Sequence, residues 1–276
     1  MQFAINYSPQ AAELVESQTI EIDFFKTPPW PDMIAQAERL RPVKVHFDLR
    51  AGTGNLEHKD WGQVEHFLAS TATAFVNVHL GVRASEMPEI PVDDPPTSEI
   101  KAAVAERILR DLLAVTAQFG PENVIAENIP YRRGQDHDLR ACAETDLIAG
   151  VIREAGCGLL LDVSHARIAA QAIGSEEQAY IRALPVNKLR ELHFTGIHDW
   201  DGFLMDHLPV LEADWPWLVW IMDHNGSNGW GKAEMLAFEY GGTGIFFARF
   251  SDPEVIRAQV PRLFAACHNR RRYLIS

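Results

Sequence analysis

Eight short apolar runs punctuate this chain from end to end, and segments with helical periodicity lie between them. The runs cover residues 3–7, 20–25, 43–47, 75–80, 124–127, 158–163, 189–194 and 236–240. The helical segments cover residues 11–15, 31–40, 61–69, 98–119, 139–155, 176–183, 214–222 and 253–269. Strands alternating with helices imply parallel βαβ units, because parallel neighbours need a long crossover and a helix supplies it. Most runs are apolar on both faces, as strands covered on both sides must be. Eight such units in 276 residues predict an α/β fold, a (β/α)8 TIM barrel, with residues 1–276 as one domain. An open doubly wound sheet is the alternative, but no Gly-x-Gly-x-x-Gly follows an early strand. Asp60, Ser98 and the Ser251-Asp252 pair read as N-caps, and Gly120-Pro121 and Gly156 as helix stops.

The polar residues fall at the ends of these strands. His46 ends the third, His79 the fourth, Glu127 the fifth, Asp162 the sixth, His193 the seventh and Glu239 the eighth. In a barrel the C-terminal strand ends share one rim, where active sites are built. Carboxylates gathered there repel one another and lose solvation unless a cation sits among them, so a shared metal is the economical explanation. His165 follows Asp162 after a short turn, and Asp206 and His207 lie in a loop after the seventh strand; all three add ligand candidates. His198, Asp199 and Asp201 share that loop, where solvation explains them equally well. Asn128, Arg132 and His198 are candidates for holding substrate. His58, His66, His137, His224 and His268 read as solvated surface, and the run Arg270-Arg271-Arg272 as a helix-end cluster. Trp217 and Trp220 share a helix face and read as packing.

The ligand set is imidazole and carboxylate without thiolate, which suits iron, manganese, zinc or cobalt. Nine candidates exceed what one ion needs, so two or three ions are expected. Such sites activate water and polarise substrates, or use iron to handle dioxygen. The net charge of −13 and the sequence pI near 5.3 make long nucleic acids poor partners. No apolar run is long enough to span a bilayer. No secretory signal is visible at the N-terminus. Three cysteines without Cys-x-x-Cys spacing point to a reducing, cytoplasmic setting.

Several strings carry a resemblance. They are Glu127-Asn128, Leu159-Leu160-Leu161-Asp162, Glu191-Leu192-His193 with Gly196 and His198 close behind, and Met205-Asp206-His207 with Pro209-Val210. Together they resemble the multinuclear non-heme iron-dependent oxidases, once known only as a domain of unknown function, within the xylose-isomerase-like TIM barrel superfamily. The resemblance implies a barrel holding two or three divalent or trivalent metal ions, iron first, with zinc or manganese as alternatives. It implies His46, His79, Glu127, Asp162, His193, Asp206, His207 and Glu239 as ligands. It also implies oxidative modification of a peptide, often presented by a partner protein. The family usually has two Asn residues after the sixth-strand Asp, where this chain has Ser164 and His165. An Asp-x-x-His strand end is more like the sugar isomerase and epimerase branch, so a divalent-metal isomerase or epimerase is the second reading. In that reading Glu127 and Glu239 exchange a proton with the substrate. A metal-assisted phosphoester hydrolase and a barrel that only binds a ligand complete the alternatives.

Overall fold

The computed structural model describes residues 1–134 and 137–268, so Arg270-Arg271-Arg272 and the expected helical residue Asn269 lie outside the described residues. In chain order the strands are β1 (Gln2–Asn6), β2 (Phe24–Thr27), β3 (Val43–Val45), β4 (Arg50–Ala51), β5 (Val76–Leu80), β6 (Val124–Glu127), β7 (Gly158–Asp162), β8 (Leu189–Phe194), β9 (Gly196–Trp200), β10 (Phe203–Leu208) and β11 (Met235–Phe238). The helices are α1 (Pro9–Glu16), α2 (Pro31–Glu38), α3 (Gly62–Ser70), α4 (Ser98–Phe119), α5 (Thr145–Ala155), α6 (Val163–Ile173), α7 (Glu177–Ala183), α8 (Trp215–His224), α9 (Gly244–Phe247) and α10 (Pro253–Cys267). All eight expected strands are present. The second starts at Phe24 rather than at Ile20, and the fifth helix starts at Thr145 after a 3-10 turn over Arg140–Ala143. No helix among the described residues is long and apolar enough to cross a membrane.

The chain forms two compact units interleaved along the sequence. The first comprises Met1–His46, His66–Ala74 and the chain from Glu191 onward. Its strands run parallel in the order β3-β2-β1-β11-β8. The register pairs Ala4 with Phe24 and with Ala237, Ala237 with His193, Met235 with Glu191, and Asn6 with Lys26. Partners in a parallel ladder share a face, as do residues two apart. One face therefore carries Ala4, Phe24, Met235 and Ala237, which pack together, followed by a polar layer toward the strand ends. The other face carries Phe3 and Ile5; Phe3 meets Phe264 of α10 edge-on at 6.1 Å.

The second unit comprises Phe47–Glu65 and Phe75–Arg190, with parallel strands in the order β4-β5-β6-β7. Every residue of β6 is buried, and α4 and α5 pack on one another beside it. Thr97 caps α4, its Oγ1 accepting the Ile100 N–H at 3.3 Å, so the cap is one residue before the expected Ser98. The helix stops at Gly120 as its sequence requires.

Two features depart from the expected loops. Residues 196–208 form an antiparallel hairpin, β9 with β10, closed by Asp201-Gly202 with φ of 54° and 88°. Positive φ at both turn residues is the geometry that matches strand twist, and Asp-Gly is a preferred pair for it. The register shifts between Met205 and Leu208, and His207 within this bulge has φ 58°. The second is α6, which leaves β7 with no intervening loop, so the expected turn Asp162–His165 is the first turn of a helix.

Candidate active site

In the first unit the polar layer is a group of five side chains, four buried and His46 half-buried. Glu191 and His193 stand two apart on β8, Lys26 comes from β2, His46 follows β3 and Glu239 follows β11. Lys26 is 4% exposed, Glu191 8%, His193 0% and Glu239 7%, so water screens little here. Lys26 Nζ lies 2.9 Å from Glu191 Oε1 and 3.3 Å from Glu239 Oε1, and it contacts His193 Nε2. His193 Nε2 lies 2.9 Å from Glu191 Oε1, and its Nδ1 lies 3.2 Å from Glu239 Oε1. The His46 ring faces it with centroids 5.4 Å apart, and the His46 N–H donates to the Thr27 carbonyl at 2.7 Å, fixing the end of β3 against β2.

Burial alone would raise both carboxyls. At Glu191 the opposing pull of Lys26 and His193 wins, and its pKa sits at about 2. At Glu239, likewise, His193, Lys26 and His46 outweigh burial and hold the group well below the ordinary carboxylate range. Both are therefore anions at neutral pH. Deleting the Lys26 ammonium alone leaves two buried carboxylates uncompensated, a loss of about 3–5 kcal/mol by analogy with broken buried ion pairs.

Donor atoms of His46, His193 and Glu239 all lie within 4.8 Å of one another. Ligands about 2.1 Å from a shared ion stand at most about 4.2 Å apart, so a small inward movement would complete coordination. Two imidazoles and a carboxylate suit iron, zinc or manganese. The donor set fits the expected metal.

The second unit brings together four more predicted ligands. His79 and Glu127 are register partners on β5 and β6, with His79 Nε2 3.3 Å from Glu127 Oε2. His165 Nδ1 lies 3.6 Å from Glu127 Oε1, and His165 Nε2 lies 3.6 Å from Asp162 Oδ2. The start of α6 explains this placement. Asp162 is its N-cap, with Oδ1 accepting the His165 N–H at 2.7 Å. The His165 ring donates from Nδ1 to the Asn128 carbonyl at 2.9 Å. Asn128 has a bracing role that its residue type does not announce: its amide donates to the Asp162 carbonyl at 2.9 Å and accepts the Asp162 N–H at 3.0 Å.

Asp206 and His207 sit in the bulge of β10, and neither joins the compact His46–His193–Glu239 group. His207 Nδ1 donates to the Glu239 carbonyl at 2.5 Å, and the His207 N–H donates to Thr195 Oγ1 at 3.2 Å. His198 donates from Nε2 to the Pro209 carbonyl at 2.6 Å, stapling the hairpin. Arg132 is half-buried and donates to the Pro130 carbonyl at 3.2 Å. His224 is not plain surface: it ends α8, donates to the Trp220 carbonyl at 2.8 Å and packs against both Trp220 and Trp230. Lys26 and Glu191 were missed by the sequence reading. The signal for Glu191 was its i, i+2 spacing from His193. For Lys26 it was a lone charge inside an apolar strand.

Solved structures show what class of fold this is. A D-psicose 3-epimerase determined in the presence of D-fructose superposes with a TM-score of 0.55 at 14% identity, each chain covered in full. A xylose isomerase domain protein from Alicyclobacillus acidocaldarius gives 0.53 at 14% identity, with 97% of this chain and 99% of that one covered. A xylose isomerase-like TIM barrel/4-hydroxyphenylpyruvate dioxygenase fusion protein gives 0.54 at 14% identity over all of this chain and 45% of that one. The chain thus has the xylose-isomerase-like (β/α)8-barrel fold. The sequence model of the RiPP precursor modification enzymes MbnB/TglH/ChrH matches residues 24–227, well over half of the chain, and the protein belongs to that family. Among curated relatives, a UPF0276 protein of Acaryochloris marina is 31% identical over 44% of this chain and 42% of its own length. One of Anaeromyxobacter is 32% identical over 41% and 37% respectively. This chain thus spans about two fifths of the length of these relatives. One of Chromobacterium violaceum is 24% identical over 63% and 62%.

Proposed function

We propose that residues 1–276 act as one metal-dependent enzyme domain that oxidatively modifies a peptide substrate, using two or three ions, iron first. Zinc and manganese are the alternative metals. The observation that carries the reading is the buried first-unit group, where His193 stands between Glu191 and Glu239 with His46 beside it. The family match supports the peptide substrate. His46, His193 and Glu239 would hold metal from the first unit, and His79, Glu127, Asp162 and His165 from the second. Asp206 and His207 complete the proposed ligand set from the bulge of β10. Iron held by these nitrogens and oxygens supplies one-electron and dioxygen chemistry. The chain's own residues orient and balance charge: with the Lys26 ammonium held between them, Glu191 lies at the Nε2 side of His193 and orients that ring. Glu127, Asp162 and Glu239 are the carboxylates assigned to proton handling. Arg132 and His198 are assigned to the substrate, with Asn128 holding the Asp162 backbone in place. A partner protein presenting the peptide belongs to the same reading.

The test is elemental analysis of protein purified without chelators or added metal, with His193→Ala and Asp206→Ala alongside. Iron in the wild type and loss in both variants is expected. Metal retained undiminished in both would overturn the ligand assignment, and a wild type devoid of transition metal would overturn the function. The second reading is a divalent-metal isomerase or epimerase, favoured by the Asp162–His165 pairing at the start of α6. It predicts turnover of a small polyol without dioxygen consumption.

A further inference from the structure

We infer that the Lys26 ammonium occupies one cation position in the group formed by His46, Glu191, His193 and Glu239. This group therefore takes one metal ion fewer than its donors allow. The inference deepens the metal-dependent reading above and rests on it.

The argument starts from what surrounds Nζ. Glu191 Oε1 lies at 2.9 Å, Glu239 Oε1 at 3.3 Å, and His193 Nε2 is in contact. These are a carboxylate, a second carboxylate and an imidazole, the donor types that would ligate a divalent ion. A donor atom directed at an ammonium cannot also serve an ion at the same place. Lys26 is 4% exposed and lies in the middle of a strand whose register with Asn6 and Lys44 is fixed, so the ammonium is delivered there by the fold. Two buried carboxylates need positive charge nearby, and here the chain supplies one such charge covalently. What remains for an exogenous ion is the Nδ1 side of His193, where Nδ1 and Glu239 Oε1 are 3.2 Å apart and the His46 ring lies 5.4 Å from the His193 ring; Glu239 Oε1 is shared between that side and the ammonium.

The experiment compares wild type with Lys26→Gln, Lys26→Met and Lys26→Arg. Each is stripped with chelator, reloaded anaerobically with ferrous iron and desalted. Bound metal per chain and the melting temperature with and without metal are then measured. The two neutral variants are expected to hold about one ion per chain more than wild type and to gain more thermal stability from it, since metal affinity follows the donors set free. Lys26→Arg keeps the charge and is expected to keep the wild-type count. If the neutral variants fold only when metal is present, while wild type folds without it, the inference is equally supported. Equal or lower metal in folded Lys26→Gln and Lys26→Met, or failure of both to fold even with metal, overturns it. Metal in the wild type at the same count in every variant removes this inference alone. No metal in any of the four proteins removes the functional reading with it.

Discussion

Asp111 offers the sharpest stability test, because one buried carboxylate holds a whole loop. It is 0% exposed on α4, and its Oδ2 accepts the N–H groups of Gly52 and Gly54, each at 2.8 Å. Its Oδ1 accepts the Leu56 N–H at 3.3 Å. Hydrogen bonds to a charged acceptor contribute about 1.5–3 kcal/mol each, and a buried donor left unmade costs about 1–3 kcal/mol. The Leu56 bond is long, and the Gly54 N–H is near enough to solvent to find water. Asp111→Ala should therefore destabilise by about 3–4 kcal/mol rather than by the full sum. For a chain of this size that lowers the melting temperature by roughly 5–7 °C. Asp111→Asn can still present one oxygen to Gly52 and Gly54 while turning its NH2 toward Leu56, so its cost should be about 1–2 kcal/mol. Arg107, four residues earlier on the same helix face, donates to the carbonyls of Gly52 at 2.6 Å and Thr53 at 3.1 Å. Once the loop is released by Asp111→Ala or by Arg107→Ala, the other change costs less, so the double variant should fall short of the sum of the singles. Urea and thermal unfolding of wild type, Asp111→Ala, Asp111→Asn, Arg107→Ala and the Asp111→Ala/Arg107→Ala double variant measure all of this. An alanine variant within about 1 kcal/mol of wild type, or an asparagine variant as damaged as alanine, would refute the reasoning.

Further tests follow from the hairpin and the buried thiols. A Cβ at Gly196 would stand 1.8 Å from the Pro209 carbonyl oxygen, so Gly196→Ala must push β9 from the chain after β10. A cost of about 3 kcal/mol is expected, with lower bound metal if the bulge residues ligate; wild-type stability and metal content together would contradict both parts. Burial pushes Cys142, Cys157 and Cys267 to about 12. At pH 8 the thiolate fraction is then about 10⁻⁴ each, against roughly 0.1 for an ordinary thiol, so native labelling should be slow and unfolding should release three equivalents. One cysteine reacting at the free-thiol rate would disprove the burial account. The same shifts fix a pH trend. A folded pKa above the unfolded value stabilises fully below the unfolded pKa near 9, and that contribution is lost as pH rises toward about 12. Burial moves Tyr180 upward as well, adding in the same direction. Unfolding free energy should decline from pH 9 upward, and a flat profile from 9 to 11 would count against it.

Fold class was legible because it rests on repetition. Each apolar run that becomes a parallel strand must be dry on both faces, and that requirement survives any error in one boundary. The strand-end ligand candidates were legible for the same reason, since their position in the run is a property of the sequence. Local chemistry read less well where two signals competed. Asp201-Gly202 between Trp200 and Phe203 is a hairpin turn by dihedral preference, yet its polar neighbours read as a solvated loop. Val163–Ile173 is a helix buried on every side over its first eight residues, and its start is hidden because its N-cap, Asp162, is also the last strand residue. Ser98 lost the cap to Thr97, a choice between adjacent hydroxyls that the sequence hardly separates.

Lys26 was illegible for a different reason. Its position inside Phe24-Phe25-Lys26-Thr27 was plain, but the meaning of a charge in a buried strand depends on which strands flank it. The order β3-β2-β1-β11-β8 places residues from the two ends of the chain on one face, and a separation of 165 residues joins Lys26 to Glu191. Periodicity announces which residues are buried together with their own helix or strand. It carries no information about which distant carboxylate will neutralise a buried ammonium. The converging acids were read as needing a cation; in the proposed arrangement Lys26, 2.9 Å from Glu191 and 3.3 Å from Glu239, meets part of that need from within the chain. A metal count below the number of available donor sets is the expected signature of that arrangement.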